Sequence, residues 1–373
     1  MKESSSYVGL DVHKAFIQVA LLTVDGDLHE WRTPNTPSKV KALIKRLLSL
    51  GGRAELCYEA GPTGYSLART LNAQDGFRCR VIAPSLIPKK AGDRVKTDRR
   101  DAKKLAEYLK AGLLTEVQPP SPADEARREL CRARSSAKEV QKKAKQRLSK
   151  FMLRQDRVFR GTKAQWTNAH MTWLDQQKFD NSHLQTVFDS FVLALSQATA
   201  RLVDLERAIE EAAQDDAVRE PVALLRCFKG INTVSAMSYA TELYAIERFR
   251  SPKHLMSFVG LTASEYSSGG DSNRGGITKA GNGRVRKLLI ESAWSLVRSN
   301  KTGYRVRKRR EDQPAWAIDV AERAQRRLHG RYWRLVNAGK HPNKAIAAVA
   351  RELVGFIGAM LMTHRFKLEE RAA

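Results

Sequence analysis

The sequence predicts an α/β domain over roughly residues 1–118, then a helical insert, then a mainly α C-terminal region. Three observations carry this. Strand hairpins near the N-terminus give way to alternating helices and strands. A Pro-rich linker, QPPSPA at 118–123, is followed by helix formers from about 124 to 213. Beyond Pro221, helical stretches are broken by a Gly-rich segment at 269–283 and end in an apolar-striped helix, Asn343 to Met362.

The elements follow in order. In YVGLDVHKAFIQVALLTV, residues 7–24, two apolar runs flank Asp11 to Lys14, which predicts strand, tight turn, strand. Asp25-Gly26 then turns the chain toward a third strand near Leu28 to Arg32. Thr36-Pro37-Ser38 opens a helix, Lys39 to Leu50. Ala54 to Glu59 reads as a strand, the segment after Gly64 as a helix to Ala73, and Arg78 to Ile82 as a further strand. Asp98 to Leu109 is helical. In the insert, Val187, Phe191, Leu195, Leu202, Leu205 and Ile209 recur at helical spacing, which suits a helical hairpin or coiled coil.

Composition narrows the function. Lys and Arg number 66 against 40 Asp and Glu, a formal net charge of +26. Such an excess raises self-repulsion in a compact protein, and a polyanionic partner offsets it. Nucleic acid fits better than an anionic membrane surface, because the cations spread along the chain and do not form one juxtamembrane cluster. The N-terminus lacks the apolar stretch of a signal peptide, and the longest apolar run, Val354 to Met362, is short for a membrane span. Cys57, Cys79, Cys131 and Cys227 are too scattered for a zinc knuckle and read as reduced, buried thiols. A cytoplasmic, nucleoid-associated protein with no membrane partner is expected.

Two constellations carry chemistry. Asp11 lies on or just after the first strand, Glu59 ends a later one, and Asp98 and Asp101 open a helix, three residues apart on one face. Carboxylates converging from distant segments are what a two-metal nuclease requires. Each acid alone also reads as a turn, strand-end or helix-capping residue. The second constellation is residues 258–289, where Ser267-Ser268-Gly269-Gly270 offers exposed hydroxyls among Arg274, Lys279, Arg284, Arg286 and Lys287. A serine attacks a DNA phosphate when cations stabilise the developing charge. The plainer reading is a Gly-Ser loop that cradles phosphate. Upstream, CFKGINTVSAMSYATEL, residues 227–243, resembles a helix-hairpin-helix that grips the DNA backbone, or an ordinary packing turn. Between Arg127 and Lys163 cations greatly outnumber acids; with Lys142, Lys143 and Lys145 that stretch reads as a nucleic-acid surface, or more plainly as a solvated helix face.

Taken together, these motifs resemble the DEDD transposases of insertion sequences, a family that includes bridge-RNA-guided recombinases. GLDVHK, YEAGPTGY and VKTDRRDAKKLAEY match its N-terminal motifs. RFRSPKHLMSFVGLT, GITKAGNGRVRKLL and NAGKHPNKAIAAVARELVG match its C-terminal part. The resemblance implies an RNase H-like (RuvC-like) α/β domain over 1–118, a helical coiled-coil and basic insert over 119–215, and a mainly α C-terminal domain over 216–373. It implies that Asp11, Glu59, Asp98 and Asp101 hold Mg²⁺, and that the catalytic serine, the one immediately before Gly, is Ser268. It also implies DNA as substrate, a structured guide RNA, and a homo-oligomer, dimer or tetramer. Two departures stand out: the usual Ile-Pro-Gly-Ile-Gly turn is Phe228-Lys229-Gly230-Ile231-Asn232, and Gly-Leu-x-Pro is Gly260-Leu261-Thr262-Ala263. Two other functions stay open: an RNase H-like junction-resolving nuclease using water, which needs the four acids and not Ser268, and a non-catalytic nucleic-acid-binding protein, which needs only the basic surface.

Overall fold

The computed structural model describes residues 6–88, 97–161, 164–267 and 273–372. The chain divides into two compact units, Met1–Pro120 and Ser121–Ala373.

The first unit is a mixed sheet flanked by helices. Its strands are β1 (Ser6–Val12), β2 (Phe16–Leu22), β3 (Leu28–Pro34), β4 (Ala54–Glu59), β5 (Phe77–Ile82) and β6 (Glu116–Val117), in the order β3-β2-β1-β4-β5-β6. β2 runs antiparallel to β1 and β3, β1 and β4 are parallel, β4 and β5 are parallel, and β6 returns antiparallel. The helices are α1 (Pro37–Gly51), α2 (Ser66–Asn72) and α3 (Asp98–Lys110). Side chains alternate along a strand, so the faces separate by parity. Val8, Leu10, Leu56 and Tyr58 pack with Val40, Leu43 and Leu47 of α1 and Leu67 and Leu71 of α2. The opposite parity, Cys57 and Ile82, packs with Leu105 and Leu109 of α3.

One contact fixes α3 on that second face. A Cβ at Gly9 would lie 2.0 Å from the Ala102 carbonyl oxygen and 2.6 Å from the Ala106 nitrogen. Only a residue without a side chain lets the helix backbone come so close to β1.

The second unit is mostly helical. It contains α4 (Pro122–Arg154), α5 (Asn168–Asp175), α6 (Ser182–Ala212), α7 (Asp216–Leu225), α8 (Thr233–Glu242) and α9 (Pro252–Phe258). A short hairpin of β7 (Ala263–Glu265) and β8 (Arg274–Ile277) follows, then α10 (Gly283–Arg298), α11 (Tyr304–Arg310), α12 (Ala315–Asn337) and α13 (Pro342–Ala372). α4 and α6 are each about 50 Å long and pair along a seam. On α6 the buried residues Phe188, Leu195, Leu202 and Ile209 recur every seven residues; on α4 Ala137, Gln141, Ala144, Leu148 and Phe151 alternate steps of four and three. This is heptad spacing. Gln141 is the polar member and donates to Thr199 Oγ1 at 3.1 Å. Val187 is 41% exposed, outside the seam that the sequence suggested for it.

α13 is long and apolar enough, by length and composition, to cross a membrane, and exceeds the run the sequence reading measured. Many of its apolar residues are accounted for within the fold: Ile346, Val349, Leu353, Val354 and Ile357 form one core with Leu289 and Leu296 of α10 and Ala321 and Leu328 of α12. All four cysteines are buried and free. Burial pushes their thiols up, Cys79 to about 12, and Cys57, Cys131 and Cys227 likewise upward.

A buried carboxylate ties three helices together. Arg132 of α4 donates to Glu242 of α8 from Nε at 2.8 Å and Nη2 at 3.0 Å, and Asn282 donates at 2.8 Å. The same Asn282 caps α10 by accepting from the Arg284 and Val285 amides. Burial alone raises the Glu242 pKa, but the Arg132 bond and charge outweigh it and hold the carboxyl below its ordinary value.

Two predictions follow from this packing. Gly9→Val forces β1 and α3 apart and is expected to cost about 3 kcal/mol or more, read as a lower urea midpoint for the first unit; an unchanged midpoint would show that the contact is dispensable. Glu242→Gln removes the buried charge from half-buried Arg132, which keeps only its pair with the exposed Glu129 at 3.1 Å, a loss of about 1–3 kcal/mol at pH 7. Because the folded pKa is depressed, the stabilisation is present above the ordinary carboxylate pKa and lost as pH falls through the folded value. The stability gap between wild type and variant is therefore expected to close in acid, as followed by melting temperature against pH.

Candidate active site

The turn between β1 and β2 builds the site. The His13 amide donates to the Phe16 carbonyl at 2.9 Å, and Asn35 Nδ2 donates to the His13 carbonyl at 2.8 Å. The His13 ring stacks on Phe16 with centroids 4.6 Å apart. It is held beside two acids. His13 Nε2 lies 3.1 Å from Asp11 Oδ2 and 3.6 Å from Asp98 Oδ1. Asp98 is the first residue of α3, whose N-cap Thr97 accepts from the Arg100 amide. Its other oxygen accepts from Arg32 Nη2 at 3.2 Å, and the Arg32 guanidinium lies 4.0 Å from the Phe16 ring centroid.

Asp11, His13 and Asp98 thus offer three ligand atoms all within 4.8 Å of one another, the one such group among the described residues. Two ligands at right angles around an ion at ~2.1 Å are about 3 Å apart, close to the Asp11–His13 separation. Hard carboxylate oxygens with one imidazole suit Mg²⁺ or Mn²⁺ better than a soft ion. The donor set fits a divalent cation.

Glu59 and Asp101 stand outside this trio. Glu59 is the last residue of β4, one step beyond the Leu10–Tyr58 pair that joins β4 to β1, so it falls beside Asp11. Both carry the parity of the α3 face. Asp101 is one turn into α3, half-buried, with its amide donating to Thr97. His13 is the participant that sequence reasoning quoted in GLDVHK and left without a role; its two-residue spacing from Asp11 across a turn was the available signal.

The second constellation is divided. Ser268 lies outside the described residues. Ser267 Oγ donates to Glu265 Oε1 at 2.9 Å, and Glu265 pairs with Arg274 at 3.4 Å across the β7–β8 hairpin. Lys279 and Arg284 are exposed. Arg286 Nη1 donates to the Val259 and Ala280 carbonyls, both at 2.9 Å, and Lys287 pairs with Glu139 of α4 at 2.7 Å. On α4, Lys142 and Lys143 are exposed. Lys145 is half-buried, with its ammonium 5.1 Å from the Trp166 ring centroid; burial and then Lys138 lower its pKa.

Comparison with known proteins matches the chain to one group. A model of DEDD transposases of the IS110 type matches residues 8–155, and a model described as the transposase IS116/IS110/IS902 family matches residues 222–308. The chain is 39% identical over 358 residues to a putative transposase of Sinorhizobium fredii, covering 95% of this chain and 88% of that protein. It is 33% identical over 331 residues to the transposase for insertion sequence element IS1533 of Leptospira borgpetersenii, covering 87% and 95%. The chain belongs to the IS110/IS116 family of DEDD transposases. It is a DNA recombination enzyme, which cuts and rejoins DNA. DEDD transposase domains typically use divalent metal ions, in keeping with the donor set of the transposase's first unit.

His13→Ala removes either a ligand or the group that orients one. It is expected to weaken divalent-ion binding tenfold to a hundredfold, measured by calorimetric titration with Mn²⁺. Unchanged affinity would leave His13 with a purely local role in the turn.

Proposed function

We propose that the first unit is an RNase H-like catalytic domain whose Asp11, Glu59, Asp98 and Asp101 hold Mg²⁺, and that the transposase uses Ser268 as its nucleophile under the direction of a structured RNA. The observation that carries the metal reading is the approach of Asp98 to Asp11 across the Gly9–Ala102 contact, with Glu59 on the neighbouring strand end and the same face. The strand order β3-β2-β1-β4-β5, with β2 antiparallel between β1 and β3, supports the RNase H-like assignment. When bound, the metal would supply Lewis-acid stabilisation of charge on the scissile phosphate. His13 and Arg32 keep Asp11 and Asp98 oriented.

At the serine, the Oγ forms a bond to phosphorus as the bond to the leaving sugar oxygen breaks. The proton that serine gives up is matched by the one the sugar oxygen takes. A second sugar hydroxyl reverses the step, releasing serine and joining the strands. Arg274 and the exposed Lys279 and Arg284 supply positive charge in that part of the chain. The β7–β8 hairpin supports the reading by flanking the segment with two paired strands.

RNA recognition is supported by a cleft of about 670 Å³ beside the α4 lysines. Phe159, Trp166 and Trp173 line it with Lys142, Lys145 and Arg157. Aromatic faces among cations suit unpaired bases. The three-part division at 118 and 215 stays a proposal of organisation. So does a homo-oligomer; the α4–α6 seam is filled within one chain, so a second copy would meet another surface.

The test separates the chemistry into parts. Strand exchange is expected to stop with chelator and return with Mg²⁺. Asp11→Ala or Asp101→Ala is expected to slow it by about a thousandfold. Ser268→Ala is expected to keep DNA binding and lose both recombination and the denaturation-resistant protein–DNA adduct seen with labelled substrate. Cleavage without any adduct, undiminished in Ser268→Ala, would transfer the role to water. An adduct mapping to Ser267 would move the nucleophile by one residue.

A further inference from the structure

The turn between α7 and α8 is fixed unusually firmly. Gly230 has φ +86°, and a Cβ there would lie 2.6 Å from Ser295 Cβ and 2.9 Å from the Ser292 carbonyl of α10. Ser292 Oγ donates to the Gly230 carbonyl at 3.3 Å and also meets Tyr239 Oη at 3.0 Å. Arg309 of α11 donates to the Ile231 carbonyl at 2.8 Å. Lys229 is spent on the Ser299 and Lys301 carbonyls. Asn232 and Ser235 close a capping box at the start of α8.

This turn forms one wall of a cleft of about 940 Å³. Arg226, Arg305, Lys308 and Arg309 line it, and none of the four is in an ion pair among the described residues. Glu291 and Asp312 also line it, so cations outnumber acids on its walls. Arg226 and Arg309 face the same cost. The Nε atom of each is buried without an acceptor, and Arg309 has its pKa lowered by burial and then by the neighbouring Arg226. Two half-buried guanidinium groups on one cleft wall, each acting on the other's charge and neither ion-paired among the described residues, destabilise the free protein unless an anion joins them. Tyr304, 67% exposed, stands at the rim. Among the described residues Tyr304 is the lone aromatic lining the cleft, in contrast to the cleft beside α4. Stacking platforms favour single strands; a cationic cleft at a rigid hairpin turn suits phosphates presented by a duplex.

We infer that this cleft is a binding site for the phosphodiester backbone of duplex DNA, with Arg226 and Arg309 on a deep phosphate and Arg305 and Lys308 on its neighbours. It contacts backbone and not base edges, so it positions DNA without reading sequence. The inference rests on the chain's membership among DNA transposases and is independent of the metal and serine assignments.

The test is fluorescence anisotropy of the full chain with a labelled 20-base-pair duplex of arbitrary sequence, in chelator, across a KCl series. Arg305→Glu with Lys308→Glu is expected to weaken binding tenfold or more and to lower the log–log salt slope by roughly two. A charge-matched double variant elsewhere in the unit, Arg219→Glu with Arg323→Glu, is expected to change the slope far less. Arg226→Met is expected to weaken DNA binding severalfold while its melting temperature holds or rises, because the like-charge contact is relieved; a purely structural arginine would lower the melting temperature and leave affinity alone. Unchanged duplex affinity in the Arg305/Lys308 variant, or an equal loss in the charge-matched control, overturns the site. Loss of binding to a single-stranded RNA probe with duplex binding intact assigns the cleft to RNA and also overturns it. Because chelator is present throughout, failure here is separate from failure of the catalytic reading.

Discussion

The approach of one helix backbone to one strand governs the candidate site. Asp11 and Asp98 are 87 positions apart in the chain by their numbers, and they share a histidine because α3 rests directly on β1 at Gly9. The contact lies two residues before Asp11 and one turn after Asp98, so it acts as the nearest possible fulcrum for both. Any side chain at position 9 would move the first turn of α3 by an appreciable part of the distance that separates metal ligands. The requirement for glycine is therefore one of geometry at the candidate-site end of the sheet as well as one of stability.

Much of the first unit was legible in the sequence, for a physical reason. Its strands are short and bounded by strong turn signals, such as Asp25-Gly26 and the Pro62–Gly64 stretch, and their residues alternate or run apolar as buried strands do. The sequence reading placed β1 to β5 and α1 to α3 to within a few residues. It passed over β6, two residues long and recruited only by pairing with β5. It also passed over the β7–β8 hairpin, whose composition, ASE and RGGI, carries little strand propensity apart from Ile277. That hairpin forms through tertiary context. The sequence singles out the four acids by their positions at strand ends and a helix start, and the structure brings two of them, Asp11 and Asp98, to one histidine. His13 was not, because a polar residue in a turn has an ordinary explanation until the turn is seen to fold back on Asp11.

The excess positive charge proves to be of two kinds. Some cations that look available in sequence are committed within the fold: Arg286 to two carbonyls, Lys287 to Glu139, Arg132 to Glu242. Others, such as Arg226 and Arg309, are brought together without acidic partners. Sequence counts both alike. The packing of α7 and α11 near the Gly230 turn is what separates guanidinium groups that have carboxylate partners from those proposed above for an external anion.

The state of the four cysteines has a practical side. A thiol reacts with maleimides or disulfides as its thiolate, and burial that raises the pKa removes both access and ionisation. Cys57, Cys79, Cys131 and Cys227 are all in that condition. The native protein is in effect silent toward thiol probes. A single cysteine introduced at an exposed position would be the sole attachment point for a dye or spin label, with no need to strip the natural ones from the core. Distances within the working assembly are thereby open to measurement in a chain that keeps its own packing.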